Sequence, residues 1–127
     1  GVFTVDSTPD GTPAATAALY ATDGSSMAVP VFRCEGSRCV AEPMTTGGAG
    51  ESLVLTLYGT GWRNGSPVLV TIGGAAAQVL FAGAHPSIPG LDQINVTVPK
   101  SLAGAGSVRL AVRAAGIDSN STGLVIS

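Results

Sequence analysis

Leu53-Val54-Leu55-Thr56-Leu57-Tyr58 is the stretch whose reading decides the fold. Leucine returns at every second position, with Val54, Thr56 and Tyr58 between. Successive side chains of a strand point to opposite faces, so period two marks a strand with one face buried. The same alternation recurs downstream. Val68, Val70 and Ile72 alternate with Leu69 and Thr71, and Val79 and Phe81 bracket Leu80. Ile94, Val96 and Val98 bracket Asn95 and Thr97, while Val108, Leu110 and Val112 bracket Arg109 and Ala111. Turn signals fall between these runs at Asn64-Gly65, Gly73-Gly74, Pro89-Gly90, Gly104-Ala105-Gly106 and Ala115-Gly116. Strands punctuated by turns in this way suit a two-layer β-sandwich. Leu124-Val125-Ile126 closes the pattern, and no helical period of useful length survives.

Upstream the signal is weaker. Val2-Phe3-Thr4-Val5 is a short β run that stops at the turn-rich Asp6-Ser7-Thr8-Pro9-Asp10-Gly11-Thr12-Pro13. Residues 14–22 are alanine-rich, which favours helix. The run is short, however, and Thr16, Tyr20 and Thr22 lie between Pro13 and the Asp23-Gly24 turn, so a strand is expected. Residues 27–33 read as one strand with Pro30 inside it, at a sheet edge or bulge. Cys39-Val40-Ala41-Glu42 returns as its hairpin partner across a four-residue loop. Residues 44–50 are the most linker-like stretch. The expected organisation is an N-terminal β segment, 1–50, packed on or extending a β-sandwich domain, 51–127.

Composition narrows the function classes. Hydrophobic residues make up 45% of the 127, which excludes a disordered chain, and one domain is the default at this length. Charged residues are only 11%, against roughly 25% in ordinary soluble domains. Gly, Ala, Ser and Thr replace them, a surface that suits an extracellular module. A net charge of −2 with six scattered Lys and Arg offers no basic run for nucleic acid or an anionic membrane. Residues 64–91 contain no Asp, Glu, Lys or Arg, but their glycines, prolines and period-two pattern exclude a membrane-crossing helix. No signal peptide is visible, and Gly1 lies inside a strand-like run. The chain therefore reads as a piece of a longer exported precursor.

Cys34 and Cys39 flank Glu35-Gly36-Ser37-Arg38. Opposed hairpin positions bring Cβ atoms to roughly 4.5–5.5 Å, near disulfide range, so a bridge and an oxidising compartment are expected. Two Cys and one His are too few for a zinc site.

The second half also carries a collinear series of motifs: Leu57-Tyr58-Gly59-Thr60-Gly61-Trp62, Val70-Thr71-Ile72-Gly73-Gly74, Val79-Leu80-Phe81-Ala82-Gly83, Gly90-Leu91-Asp92-Gln93-Ile94-Asn95-Val96-Thr97-Val98-Pro99 and Gly116-Ile117-Asp118-Ser119-Asn120-Ser121. The series closely resembles an uncharacterised C-terminal domain family abundant in Solibacter-type soil bacteria. It is similar, more distantly, to IPT/TIG immunoglobulin-like domains. The resemblance covers roughly residues 51–127. It implies an all-β, immunoglobulin-like (IPT/TIG-like) sandwich used as a repeated or terminal module of large exported bacterial proteins, and no assigned activity. Phe3-Thr4-Val5 and the Cys34/Cys39 hairpin look like the segment that often precedes this domain. Trp62 and Arg63 depart from the pattern, where a less bulky residue is expected, which marks that loop as locally specialised.

Residue types that carry chemistry are few. A Ser-His-Asp hydrolase would use His85 as base with Asp92 nearby, but no Gly-x-Ser-x-Gly elbow exists. Gly59-Thr60-Gly61 is followed by strand rather than helix and lacks a lysine, so it is not a phosphate loop. Asp6, Asp10 and Asp23 are oxygen donors for calcium in principle, but Asp-Gly pairs usually make turns. Asn64-Gly65-Ser66, Asn95-Val96-Thr97 and Asn120-Ser121-Thr122 match glycosylation sequons by chance. Trp62, beside Arg63 and Asn64, is the candidate binding group, as a platform for a sugar or a protein partner. The alternative is that it plugs the open end of the sandwich.

The sequence thus predicts a non-catalytic spacer or protein-interaction module without cofactor or metal, secreted or on the cell surface. Its expected partners are an unknown protein or glycan and neighbouring domains of the same precursor. A carbohydrate-binding module using Trp62, helped by Tyr58 or Tyr20, is the alternative. The edge strands add weak self-association as a third expectation.

Overall fold

The structure, a computed structural model, describes residues 2–4, 11–63 and 67–127. Val5, the Asp6 to Asp10 part of the first turn, and the Asn64-Gly65 turn lie outside the described residues. The strands are β1 (Ala15–Tyr20), β2 (Ser26–Val29), β3 (Phe32–Glu35), β4 (Arg38–Ala41), β5 (Pro43–Met44), β6 (Ser52–Gly59), β7 (Val68–Ile72), β8 (Ala75–Ala84), β9 (Asp92–Thr97), β10 (Gly106–Ala114), β11 (Ile117–Asp118) and β12 (Thr122–Ile126). A single 3₁₀ turn, Lys100–Leu102, joins β9 to β10. The chain is all-β, as its alternation predicts.

Ten strands form one sheet: nine follow the path β2-β1-β6-β9-β8-β7-β10-β12-β5, and β11 pairs with β10 off that path. β8 joins the two halves: residues 75–77 pair with β7, and residues 78–84 pair with β9. The path therefore wraps in barrel-like fashion around one interior. Alternation supplies that interior. Leu53, Leu55 and Leu57 of β6 meet Ile94, Val96, Val70, Ile72, Leu110, Val112, Leu124 and Ile126, all at most 2% exposed, in a single cluster. Gly73-Gly74 links Ile72 to its partner Ala75 with φ of 59° and 81°. Both central residues of this tight turn need positive φ, which glycine alone adopts freely.

Several elements differ from the sequence expectation. Residues 27–33 form two strands in separate sheets, β2 and β3, rather than one. Pro30 has no N–H to continue a ladder, and Val31 turns inward to 3% exposure. The cysteine hairpin is tighter than expected: Glu35 pairs with Arg38, leaving a two-residue Gly36-Ser37 turn. In β8 the alternation breaks at a bulge between Val79 and Phe81, which leaves Leu80 and Phe81 both exposed. Residues 44–50 are not a free linker. β5 pairs in parallel with β12, Met44 is fully buried, and Lys100 Nζ donates to the Gly48 carbonyl. The N-terminal segment also reaches the main sheet through β1, which pairs with β6 along its whole length.

Cys34 and Cys39 are bonded and lie directly opposite each other, with Cα atoms 4.1 Å apart. Their hairpin is a separate two-stranded sheet, mostly exposed. Closing so short a loop stabilises by about 2 kcal/mol in the chain-entropy model. Replacing both cysteines with serine is expected to abolish amide-exchange protection in β3 and β4. Protection in β6 and β9 should stay unchanged, and a global loss in the same experiment would show the hairpin to be integral.

Thr122 carries the buried side-chain oxygen that lacks a partner among the described residues; the residue is 0% exposed. An unsatisfied buried hydroxyl costs roughly 1–3 kcal/mol. Thr122→Val keeps the shape and removes the penalty. It is expected to raise the thermal midpoint by about 4 °C, for about 1 kcal/mol gained. A lowered midpoint would mean that the hydroxyl is bonded.

Candidate functional site

A cleft of about 610 Å³ opens at one end of the barrel-like interior. There the segment after β6, the start of β9 and the β10–β11 turn meet. Gly61, Trp62, Arg63, Asp92, Ala115 and Ile117 are among its lining residues. The β6–β9 register sets its floor, because Gly59 lies opposite Asp92. Asp92 shares parity with Ile94, Val96 and Val98, so its carboxylate points inward; the residue is only 2% exposed.

That carboxylate holds the neighbouring loop. Asp92 Oδ2 accepts the Trp62 N–H at 2.8 Å and the Arg63 N–H at 3.3 Å. Oδ1 accepts from Arg63 Nε at 2.6 Å, and Arg63 Nη2 donates to the Leu91 carbonyl at 3.1 Å. Burial on its own raises the carboxyl's pKa. The amide of Trp62, then the guanidinium and amide of Arg63, together outweigh it and bring the value below the ordinary 3.8. The ion is therefore the resident form, kept by directed donors.

The structure places the sequence-derived candidates as follows. Trp62 is 3% exposed and sits in the core cluster, with its backbone clamped by Asp92. Its indole does not present a face for stacking. Tyr20 is remote from Tyr58, because Tyr20 pairs with Ser52 at the far end of the β1–β6 ladder, so no shared aromatic platform forms. Arg63 reaches the cleft with its side chain 41% exposed. Asn64 lies outside the described residues, as do Asp6 and Asp10. Asp23 accepts from the Ser25 hydroxyl at 2.6 Å and the Ser25 N–H at 2.9 Å, which lowers its pKa and closes a turn. Among the described residues, no cluster of three or more His, Cys, Asp or Glu could hold a metal ion.

His85 braces a loop. Its Nδ1 accepts the N–H groups of Ser87 and Ile88, both at 3.0 Å, which puts the ring proton on Nε2. The ring lies 6.0 Å from that of Tyr58. Asp92 turns its oxygens to Trp62 and Arg63, not to the imidazole. The sequon residue Asn120 ties down Val2, which makes only an isolated bridge to Gly59 rather than a strand: Asn120 Oδ1 accepts the Val2 N–H, and its Nδ2 donates to the Val2 carbonyl.

No family model, curated protein or solved structure matches this chain. The chemistry of the site is therefore read from its own geometry. The open side of the cleft presents the Arg63 guanidinium, the Asp118 carboxylate at 75% exposure and Ile117 at 74%. This is a mixed surface of two charges and one apolar side chain. Sequence reasoning weighed Asp92 only as a triad partner for His85 and missed its part in clamping the Trp62-Arg63 loop. Its signal was parity, since an acidic residue led a run whose other inward positions are Ile94, Val96 and Val98.

Proposed function

We propose that the chain is a non-catalytic, immunoglobulin-like module of a large secreted or cell-surface protein, acting as a spacer or protein-interaction unit. The observation that carries this reading is the use made of the side chains with the most chemical capacity. Asp92 and His85 are both occupied in fixing backbone amides, at Trp62, Arg63, Ser87 and Ile88. A general base needs a free lone pair aimed at a substrate proton. Here the Nδ1 lone pair and both Asp92 oxygens face the protein's own donors.

Three further features support the module reading. The inward faces of strands on either side of β8 share one apolar core, as the two sheets of a sandwich do. The disulfide is consistent with an oxidising, extracellular setting. The motif series through Gly59-Thr60-Gly61 and Gly73-Gly74 adds the resemblance to exported IPT/TIG-like modules. With Trp62 buried, a protein contact fits the cleft better than sugar stacking.

The test is a panel of ester, peptide, glycoside and phosphoester substrates, run with the wild type and with His85→Ala. Neither protein is expected to turn over any substrate above the buffer rate. A hydrolysis that His85→Ala abolishes would overturn the proposal.

A further inference from the structure

β2 is one end of the nine-strand path, and its outer side has no neighbouring strand among the described residues. Which of its backbone groups face outward follows from hydrogen-bond parity. The Val98 N–H donates to the Leu53 carbonyl, so odd residues of β6 bond toward β9 and even ones toward β1. The Phe3 N–H, bonded to the Tyr58 carbonyl, agrees. Alternation then makes odd residues of β1 bond toward β2. The Ala21 N–H to the Ser25 carbonyl, at the hairpin end, fixes the same phase. Met27 and Val29 therefore bond to β1, while Ser26 and Ala28 turn their N–H and C=O groups outward.

This edge is short and ends at Pro30, but it lacks two other common protections, charge and a bulge. β1 and β2 contain no charged residue, and β2 has no bulge. Met27 lies opposite Leu19, on the face that carries Ala15 and Ala17 into the core, yet it is 64% exposed. It is an apolar side chain left uncovered on the inward-facing side of a sheet edge.

We infer that Ser26–Val29 is a pairing edge for a second copy of this chain, joined antiparallel about a two-fold axis through Met27. Three registers bring outward residues into hydrogen-bonded pairs. With Ala28 opposite Ala28 of the copy, Ser26 meets Pro30, which has no N–H to give. With Ser26 opposite Ser26, Ala28 runs into Gly24 of the turn. With Ser26 opposite Ala28, every outward N–H and C=O on both copies is used, and Met27 faces Met27 of the copy in a non-hydrogen-bonded pair. Such pairs hold side chains closest, so both exposed thioethers are covered together. The absence of charge removes like-charge repulsion across the axis. Pairing of two four-residue strands buries far less than the roughly 1,600 Å² of a stable interface, so the dimer is weak.

Both native cysteines are bonded to each other, so a thiol placed at position 27 would be the only free one. The experiment oxidises Met27→Cys at about 0.5 mM, with sedimentation of the wild type over the same concentrations, where weak dimers are populated. Leu69→Cys, at the similarly exposed Leu69 (57%), reports random collision. The expected result is a covalent dimer forming about tenfold faster for Met27→Cys than for Leu69→Cys, as the close non-hydrogen-bonded pair requires. Ala28→Pro in the Met27→Cys background should abolish that advantage while circular dichroism stays native, because only an outward N–H is lost. Met27→Lys, which sets two ammonium groups against each other, should leave the protein monomeric. Equal rates for the two cysteine variants, or a strictly monomeric wild type, would overturn the inference.

Discussion

A chain beginning at residue 51 is expected to lose cooperative folding, although the clearest strand alternation lies wholly within it. The first fifty residues supply Val2, Ala15, Ala17, Val31 and Met44 to the core. Burying Val2, Val31 and Met44 contributes about 6 kcal/mol in total, at roughly 2 kcal/mol each. That is comparable with the whole stability of a typical domain, about 5–15 kcal/mol. Truncation also strips backbone partners. β6 loses β1 along its length, the Ser127 N–H loses the Met44 carbonyl, and Lys100 Nζ loses the Gly48 carbonyl. Urea titration followed by far-ultraviolet circular dichroism should be sigmoidal for residues 1–127 and featureless for 51–127. Met44→Ala provides a graded version. It should cost about 3 kcal/mol and lower the thermal midpoint by about 10 °C. A truncated chain that melts within a few degrees of the full one would show the N-terminal segment to be an appendage.

The truncation also shows what sequence can and cannot reveal here. β6 was legible because its evidence is local: leucine at every second position needs only one buried face. Met44 was not, because Met44-Thr45-Thr46-Gly47-Gly48 has loop composition and its strand partner, Ile126, lies far along the chain. Pro30 was legible as a disturbance, but whether it bends a strand or divides it depends on where Val31 finds room, and that is a tertiary fact. The same holds for Leu80. Alternation made it the outward residue between two inward ones, whereas the bulge that exposes Phe81 as well is defined only against β9. At the cleft, Trp62 was visible as an unusual residue. Its burial goes with a hydrogen bond from its backbone N–H to a carboxylate thirty positions downstream. Parity would have put Asp92 on the inner face, but nothing local names its partners.

Asp92→Ala is expected to destabilise the protein by about 3 kcal/mol. The loss has two parts. The buried Trp62 N–H is left without an acceptor, and the charge-assisted bonds to Arg63 disappear. Arg63→Ala should cost only about 1 kcal/mol, because its side chain is 41% exposed and Asp92 keeps both backbone amides. This asymmetry separates a carboxylate that organises backbone from a mere surface ion pair, for which the two substitutions would cost the same. Acid supplies a second, independent reading. The Asp92 carboxyl lies below 3.8 when folded, so its contribution is complete above that value and is lost as pH falls through the lower folded one. Asn at this position keeps an acceptor for the Trp62 N–H but does not titrate. The stability gap between wild type and Asp92→Asn should therefore be constant from pH 7 down to about pH 4 and shrink below it. Urea midpoints at several pH values measure this gap. If it does not change with acid, the ionised form is not what holds the loop, and a neutral acceptor for the Trp62 N–H is enough.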